Sequence, residues 1–208
     1  MIDNNSLLVS KEILLKKKLL HFYSNKNNLN IFLPIILQKT RLSLRSLDWF
    51  VTNYSKKYNI SYYLEKENIS LVNNYFPFKG YKCQLKAYSK KFCDPFCRRE
   101  RIIYDYKNNI FIDYSKNILN NYDHNDYIIT TIGQLNFFKF AITDNIINYA
   151  IEHINDIEKD MNDTLKARDY EKKFMKVDSI KTIKRKELSK SGNKSIHITE
   201  ISAILNFS

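Results

Sequence analysis

The sequence predicts an α+β fold: a mainly helical N-terminal half and a small antiparallel sheet, made of a central hairpin and a C-terminal strand, packed with helices. Three observations predict it. Apolar residues recur at helical spacing over 43–58, 81–92 and 144–161. Two β-prone runs flank a polar triplet between residues 101 and 114, and β-branched and apolar residues return over 195–207. The 208 residues suit one domain with an appendage, and with 44% hydrophobic and 14% aromatic residues the chain is too apolar to be wholly disordered.

Taken in order, a first helix is expected from Ser10 to about Tyr23, where Ser10 precedes a run of good helix formers. A second runs from Ser43, its N-cap, to Tyr58, with Leu47, Phe50, Val51, Tyr54 and Tyr58 as its apolar stripe. Residues 60–78 are mixed, with a β-prone piece at Ile60–Leu64. A third helix is expected from Tyr81 to Phe92, where Tyr81, Leu85, Tyr88 and Phe92 line one side; Asp94-Pro95 then stops it. Arg101–Tyr106 and Ile110–Tyr114 around Lys107-Asn108-Asn109 read as a hairpin. Thr131 and Gln134 match a capping box that opens a helix to about Ile142. Asp144 opens a longer one carrying Ile147, Ala150, Ile151, Ile154, Ile157 and Met161. The expected organisation is therefore a single α+β domain over 1–170, a basic flexible loop over 171–194, and a strand over 195–208 that returns to the domain.

Charge is localised. Lys79–Arg101 holds eight Lys or Arg against Asp94 and Glu100, and Lys172–Lys194 holds nine against Asp178 and Glu187. The windows thus carry +6 and +7, which together exceed the +12 of the whole chain. Clustered cations attract polyanions such as nucleic acid or an anionic membrane surface. The abundance of Asn, Ile, Lys, Tyr and Phe fits an AT-rich coding sequence, so the position of the lysines says more than their number. No apolar run approaches the roughly 20 residues that span a membrane. The N-terminal segment lacks a secretory signal and the three cysteines are an odd number, so free thiols in an intracellular, reducing compartment are expected.

The nucleic-acid candidates are Lys82, Lys86, Lys90 and Lys91 on phosphates, with Arg98, Arg99 and Arg101 offering planar forks. Three of the seven arginines of the chain lie within Arg98–Arg101. Lys184, Arg185 and Lys186 in the second window add salt-sensitive, sequence-independent attraction, or serve as a nuclear import signal. Tyr81, Leu85, Tyr88 and Phe92 read first as core and only second as base-stacking groups. Trp49, beside Arg45 and Asn53, reads as covered by a second layer before it reads as a stacking platform.

Metal and catalytic sites find little support. Cys93 and Cys97 are close in sequence, but with Cys83 and the distant His124 they do not make a zinc ligand set. Asp94, Glu100, Asp105 and Asp113 lack the spacing of a Mg²⁺ nuclease site, and Asp105 and Asp113 read as the solvated face of the hairpin. Gly80, Gly133 and Gly192 are too far apart for a phosphate loop. No catalytic residue, metal or cofactor is assigned.

Four segments, LRSLDWFVTNYSKKYNI, YKCQLKAYSKKFCDPFCRRERI, TTIGQLNFFKFAI and KRKELSKSGNKSI, resemble in order the blocks of an uncharacterised protein family of nucleocytoplasmic large DNA viruses of the mimivirus and phycodnavirus kind. The resemblance covers roughly residues 44–58, 81–102, 130–161 and 184–205. It implies a viral protein of the host cytoplasm, viral factory or virion, and it carries no catalytic residues. The expected function is non-catalytic nucleic-acid binding, in viral gene expression or genome handling. A structural or interaction protein of the virion, with viral protein partners, stands second, and a nuclease-like enzyme third.

Overall fold

Residues 132–143, IGQLNFFKFAIT, are apolar round most of the helix, with Asn136, Lys139 and Thr143 on the remaining side, and a helix of that kind is stable only where most of it is covered. The computed structural model, which describes residues 4–64, 74–114 and 126–178, with side chains at 11–64, 74–114 and 126–171, places this helix at the centre. Two units divide the chain, Met1–Leu165 and Lys166–Ser208. The first holds the hydrophobic core; of the second, only the helical stretch to Asp178 is described.

Helix α1 (Asn4–Tyr23) buries Leu15, Leu19 and Tyr23, spaced four apart on one face. The buried Tyr23 hydroxyl donates to the Leu135 carbonyl of the central helix at 2.8 Å. Helix α2 (Lys26–Ile36) was not legible in the sequence because Pro34 interrupts its pattern. Asn25 caps it, its side chain accepting from the Asn27 amide, and Phe32 and Ile35 drive its docking. The expected helix from Ser43 is present with its cap, the Ser46 amide donating to Ser43 Oγ at 3.0 Å. It is not uniform: α3 (Leu44–Trp49) passes through a π turn (Phe50–Tyr54) into α4 (Ser55–Lys57). A two-residue ladder, β1 (Tyr62–Tyr63) with β2 (Asn74–Tyr75), follows.

The third helix is shifted from its expected span. Helix α5 is Pro77–Tyr88, opening on a proline at the first position, where its missing amide costs nothing. It closes at Ser89, whose φ of 60° is left-handed, and Lys90–Phe92 form a separate 3-10 turn. The hairpin is where it was expected, as β3 (Arg101–Asp105) and β4 (Ile110–Asp113), paired from Ile102↔Asp113 to Asp105↔Ile110. Asp105 does not face solvent as expected. It is buried because it closes the turn, accepting from the amides of Lys107 at 3.1 Å and Asn108 at 2.9 Å. Burial alone pushes its carboxyl up, but these bonds outweigh it and hold the group below its ordinary range.

The other edge of β3 pairs with β5 (Tyr127–Thr131), giving the order β4-β3-β5. That third strand was missed in the sequence, although its Ile-Ile-Thr-Thr run is rich in β-branched residues. Residues 195–208, expected to supply a strand, lie outside the described residues. Strand β5 passes directly into the central helix α6 (Ile132–Thr143). The expected single helix after Asp144 is two, α7 (Ile146–Glu152) and α8 (Ile154–Asp178), broken at His153. Asp144 instead caps the end of α6 and accepts the Tyr75 hydroxyl at 2.8 Å. Helix α8 extends beyond Glu171 into the stretch expected to be loop, since Glu, Lys and Met favour helix and no glycine lies between Glu171 and Gly192. Among the described residues no helix is long and apolar enough to cross a membrane.

Candidate nucleic-acid interface

The turn between α5 and β3 carries Arg98 and Arg99, Arg101 opens β3, and the first residues of α6 hold that turn in place. Thr131 is the N-cap, its Oγ1 accepting from the Gln134 amide at 3.1 Å while donating to the Cys97 carbonyl at 3.4 Å. Gln134 does not complete the capping box. Its Nε2 donates to the Pro95 carbonyl at 2.9 Å and its Oε1 accepts from Thr130 Oγ1 at 2.8 Å. One turn on, Asn136 Nδ2 donates to the Phe92 carbonyl at 2.8 Å, and the Asp94 amide donates to the Gly133 carbonyl at 3.3 Å. Gly133 is required here: a Cβ would sit 2.7 Å from the Lys91 carbonyl oxygen. Beneath the turn, Tyr81 donates to the Cys93 carbonyl at 3.2 Å. Tyr81 is buried, and Leu85, Tyr88 and Phe92 are half-buried against the core.

A cleft of about 410 Å³ opens between α1, this turn and the start of α6, and Lys16, Lys91, Arg99 and Arg101 stand on its walls beside Glu12, Glu100 and Asp113. A second cleft, of about 310 Å³, lies on the other side of Arg101 and is lined by Arg98, Ile129, Thr130 and Gln134. Arg98, Arg99 and Arg101 are exposed and make no ion pair among the described residues. Lys91 does: its ammonium lies 2.8 Å from Glu100, which raises its affinity for its proton. Lys90 reaches Asp94 only at 3.9 Å, and Lys82 lies over the Phe78 ring, 4.7 Å from its centre.

Of the expected residues, Lys91, Arg99 and Arg101 therefore share a cleft, and Arg98 joins Arg101 on its neighbour. Lys82 and Lys90 line neither. Lys86 belongs to a third, more apolar groove of about 420 Å³ between α1 and α5, with Leu14, Tyr88 and Phe92. Lys184, Arg185 and Lys186 lie outside the described residues. Sequence reasoning missed Lys16 and the backbone of Ile132 and Gly133; the Thr131 cap was the one signal that a helix start stood nearby.

The other candidates take structural roles. Trp49 Nε1 donates to Asp160 at 2.9 Å, and Tyr58 to the same carboxylate at 3.0 Å, with the Lys57 ammonium also bound there. Burial raises the carboxyl of Asp160, but these three donors more than offset it and keep it ionised to lower pH than usual. Cys93 is fully buried, and burial, then Asp94, push its thiol up to about 12. Cys83, Cys93 and Cys97 are all free thiols, and no three His, Cys, Asp or Glu among the described residues converge as metal ligands.

A family model described as a family of unknown function, DUF7197, matches residues 2–207. The chain is 37% identical over 164 residues to the uncharacterised protein L507 of Acanthamoeba polyphaga mimivirus, an alignment that covers 78% of this chain and 58% of that protein. The chain therefore spans little more than half the length of that relative. No solved structure matches it.

Proposed function

The chain belongs to the DUF7197 family and has a mimivirus relative, and on that footing we propose that it is a non-catalytic nucleic-acid-binding protein of a large DNA virus, acting in viral gene expression or genome handling. The observation that carries this reading is the state of Arg98, Arg99 and Arg101. They are exposed and free of carboxylate partners among the described residues, Arg98 and Arg99 on a turn fixed by hydrogen bonds to α6 and Arg101 on the first residue of β3. An arginine on a backbone held in place loses less conformational freedom when it grips phosphate than one on a loose segment.

The test is a salt-titrated binding assay on duplex DNA, single-stranded DNA and RNA. Log affinity should fall with log salt, by about 0.9 per phosphate contacted on duplex DNA and about 0.7 on a single strand. Replacing Arg98, Arg99 and Arg101 by Ala should flatten that slope and weaken binding at least about ten-fold. A wild-type protein that ignores all three polymers at low salt refutes the reading.

The virion-interaction reading has support of its own in the apolar groove between α1 and α5. Leu14 is 54% exposed there and Ile13 49% beside it, and lysines 11, 18 and 86 rim the groove. Mass spectrometry of purified particles decides it, and absence of the protein from them excludes that role. The nuclease reading has no such feature: Asp105 closes the hairpin turn, and Glu100 is engaged by Lys91.

A further inference from the structure

The larger of the two arginine-lined clefts differs from a surface that merely tracks a phosphate backbone. It is a recess in the size range of small-ligand sites, about 300–1,000 Å³, and it is walled by residues from α1, the turn, β3, β4 and the start of α6. Carboxylates share those walls. Four cations face Glu12, Glu100 and Asp113, a balance of only +1. The chain of a passing strand, with sugars and bases on both sides of each phosphate, is poorly suited to such a recess; a strand end is a compact dianion.

Two of the four cations are already engaged. Lys16 pairs with Glu12 at 3.0 Å and Lys91 with Glu100 at 2.8 Å, leaving Arg99 and Arg101 without an ion pair among the described residues. The second of these pairs is weakly held. Both side chains are about half exposed, 48% for Lys91 and 60% for Glu100, and an exposed pair is worth about 0–1 kcal/mol. Glu100 also sits at φ 53°, a left-handed conformation that a non-glycine residue adopts at a cost. Were Glu100 to leave, the walls would carry +2, matching the charge of about −1.5 to −2 on a phosphomonoester.

We propose that this cleft binds a terminal phosphomonoester, the phosphorylated end of a nucleic-acid strand, and that the Glu100 carboxylate occupies Lys91 in its place until the phosphate displaces it. The proposal rests on the nucleic-acid reading and gives it a chemical class: end recognition in place of uniform binding along a strand. Arg99 and Arg101 supply forked donors, and Lys91 a third charge once released.

The experiment is fluorescence anisotropy of the full chain with one internally labelled single-stranded oligonucleotide in three forms: 5′-phosphorylated, 3′-phosphorylated, and hydroxyl at both ends. One phosphorylated form should bind at least about five-fold tighter than the hydroxyl form, more than the screened long-range gain from the roughly two added charges. In the double variant Arg99→Ala, Arg101→Ala the ratio between forms should fall to one. Glu100→Gln should strengthen binding of the phosphorylated form selectively. All three changes are at exposed positions, and circular dichroism and melting curves confirm folding. Equal affinity for the three forms overturns end recognition and leaves general nucleic-acid binding standing. A preference that survives the double variant also overturns it, and failure to bind any form overturns both readings. If Glu100→Gln leaves the preference unchanged or reduces it, the placeholder role is lost.

Discussion

Asp48 shows how a single half-buried carboxyl is set by what surrounds the turn. Burial first and the Asp94 charge second push it up to about 6, and Lys90 opposes them. In the window between the ordinary carboxylate range and about 6 the folded state holds a proton that the unfolded state has released. The contribution of Asp48 to stability therefore falls as pH rises through that window, and the deficit persists above it. Asp48→Asn should gain unfolding free energy on wild type, read from urea titrations, between about pH 4 and pH 6.5, levelling at about 1 kcal/mol once solvent screening is allowed for. A gap that stays constant with pH would exclude this account. Trp49 is the opposite case, a neutral donor to an ionised, buried Asp160. Trp49→Phe should cost about 1.5–3 kcal/mol, the range for hydrogen bonds to charged groups, read from denaturant unfolding. Gly133→Ala drives a methyl against the Lys91 backbone carbonyl; the expected loss is about 1–3 kcal/mol, with weaker oligonucleotide binding alongside.

Elements explain both what was legible in the sequence and what was not. The hairpin and the helices at Ser43 and Thr131 were legible because local chemistry decides them: a polar triplet between β-prone runs, and a hydroxyl one turn ahead of a free amide. Helix α2 was hidden by Pro34, and the end of α5 by Ser89, a residue whose left-handed φ has no sequence signature comparable to glycine. Gln134 reads locally as half of a capping box, yet it bonds Pro95, 39 residues away. The cation types of the site could be read from one window, but not their division between clefts, because Lys16 and α6 arrive from distant parts of the chain. Gln134→Leu keeps α6 apolar and breaks the bond to Pro95. Amide exchange over residues 92–97 should then accelerate at least about ten-fold while that of α6 changes little. Equal acceleration in both would mean that Gln134 supports the helix and not the turn.

At the scale of the molecule, a core built on a helix that is apolar round most of its surface puts the start of that helix beside the exposed arginines. Thr131 ends β5 and Ile132 begins α6, so strand and helix join without an intervening residue. The bonds that shape the arginine turn span 34, 39 and 44 residues of chain. This has a consequence in time. Contacts closing loops of that length form after local helices and hairpins, because the entropy of loop closure precedes any gain from them. The arginines should therefore reach their bound-ready positions late in folding. Trp49, the one tryptophan, reports when α8 has docked through Asp160. That bond closes a loop of 111 residues, longer than those of the turn, so in a refolding experiment oligonucleotide capture should follow the gain of helical circular dichroism and need not wait for the Trp49 fluorescence change. A nascent or partly unfolded chain should then be a poor ligand trap even though its net charge is the same.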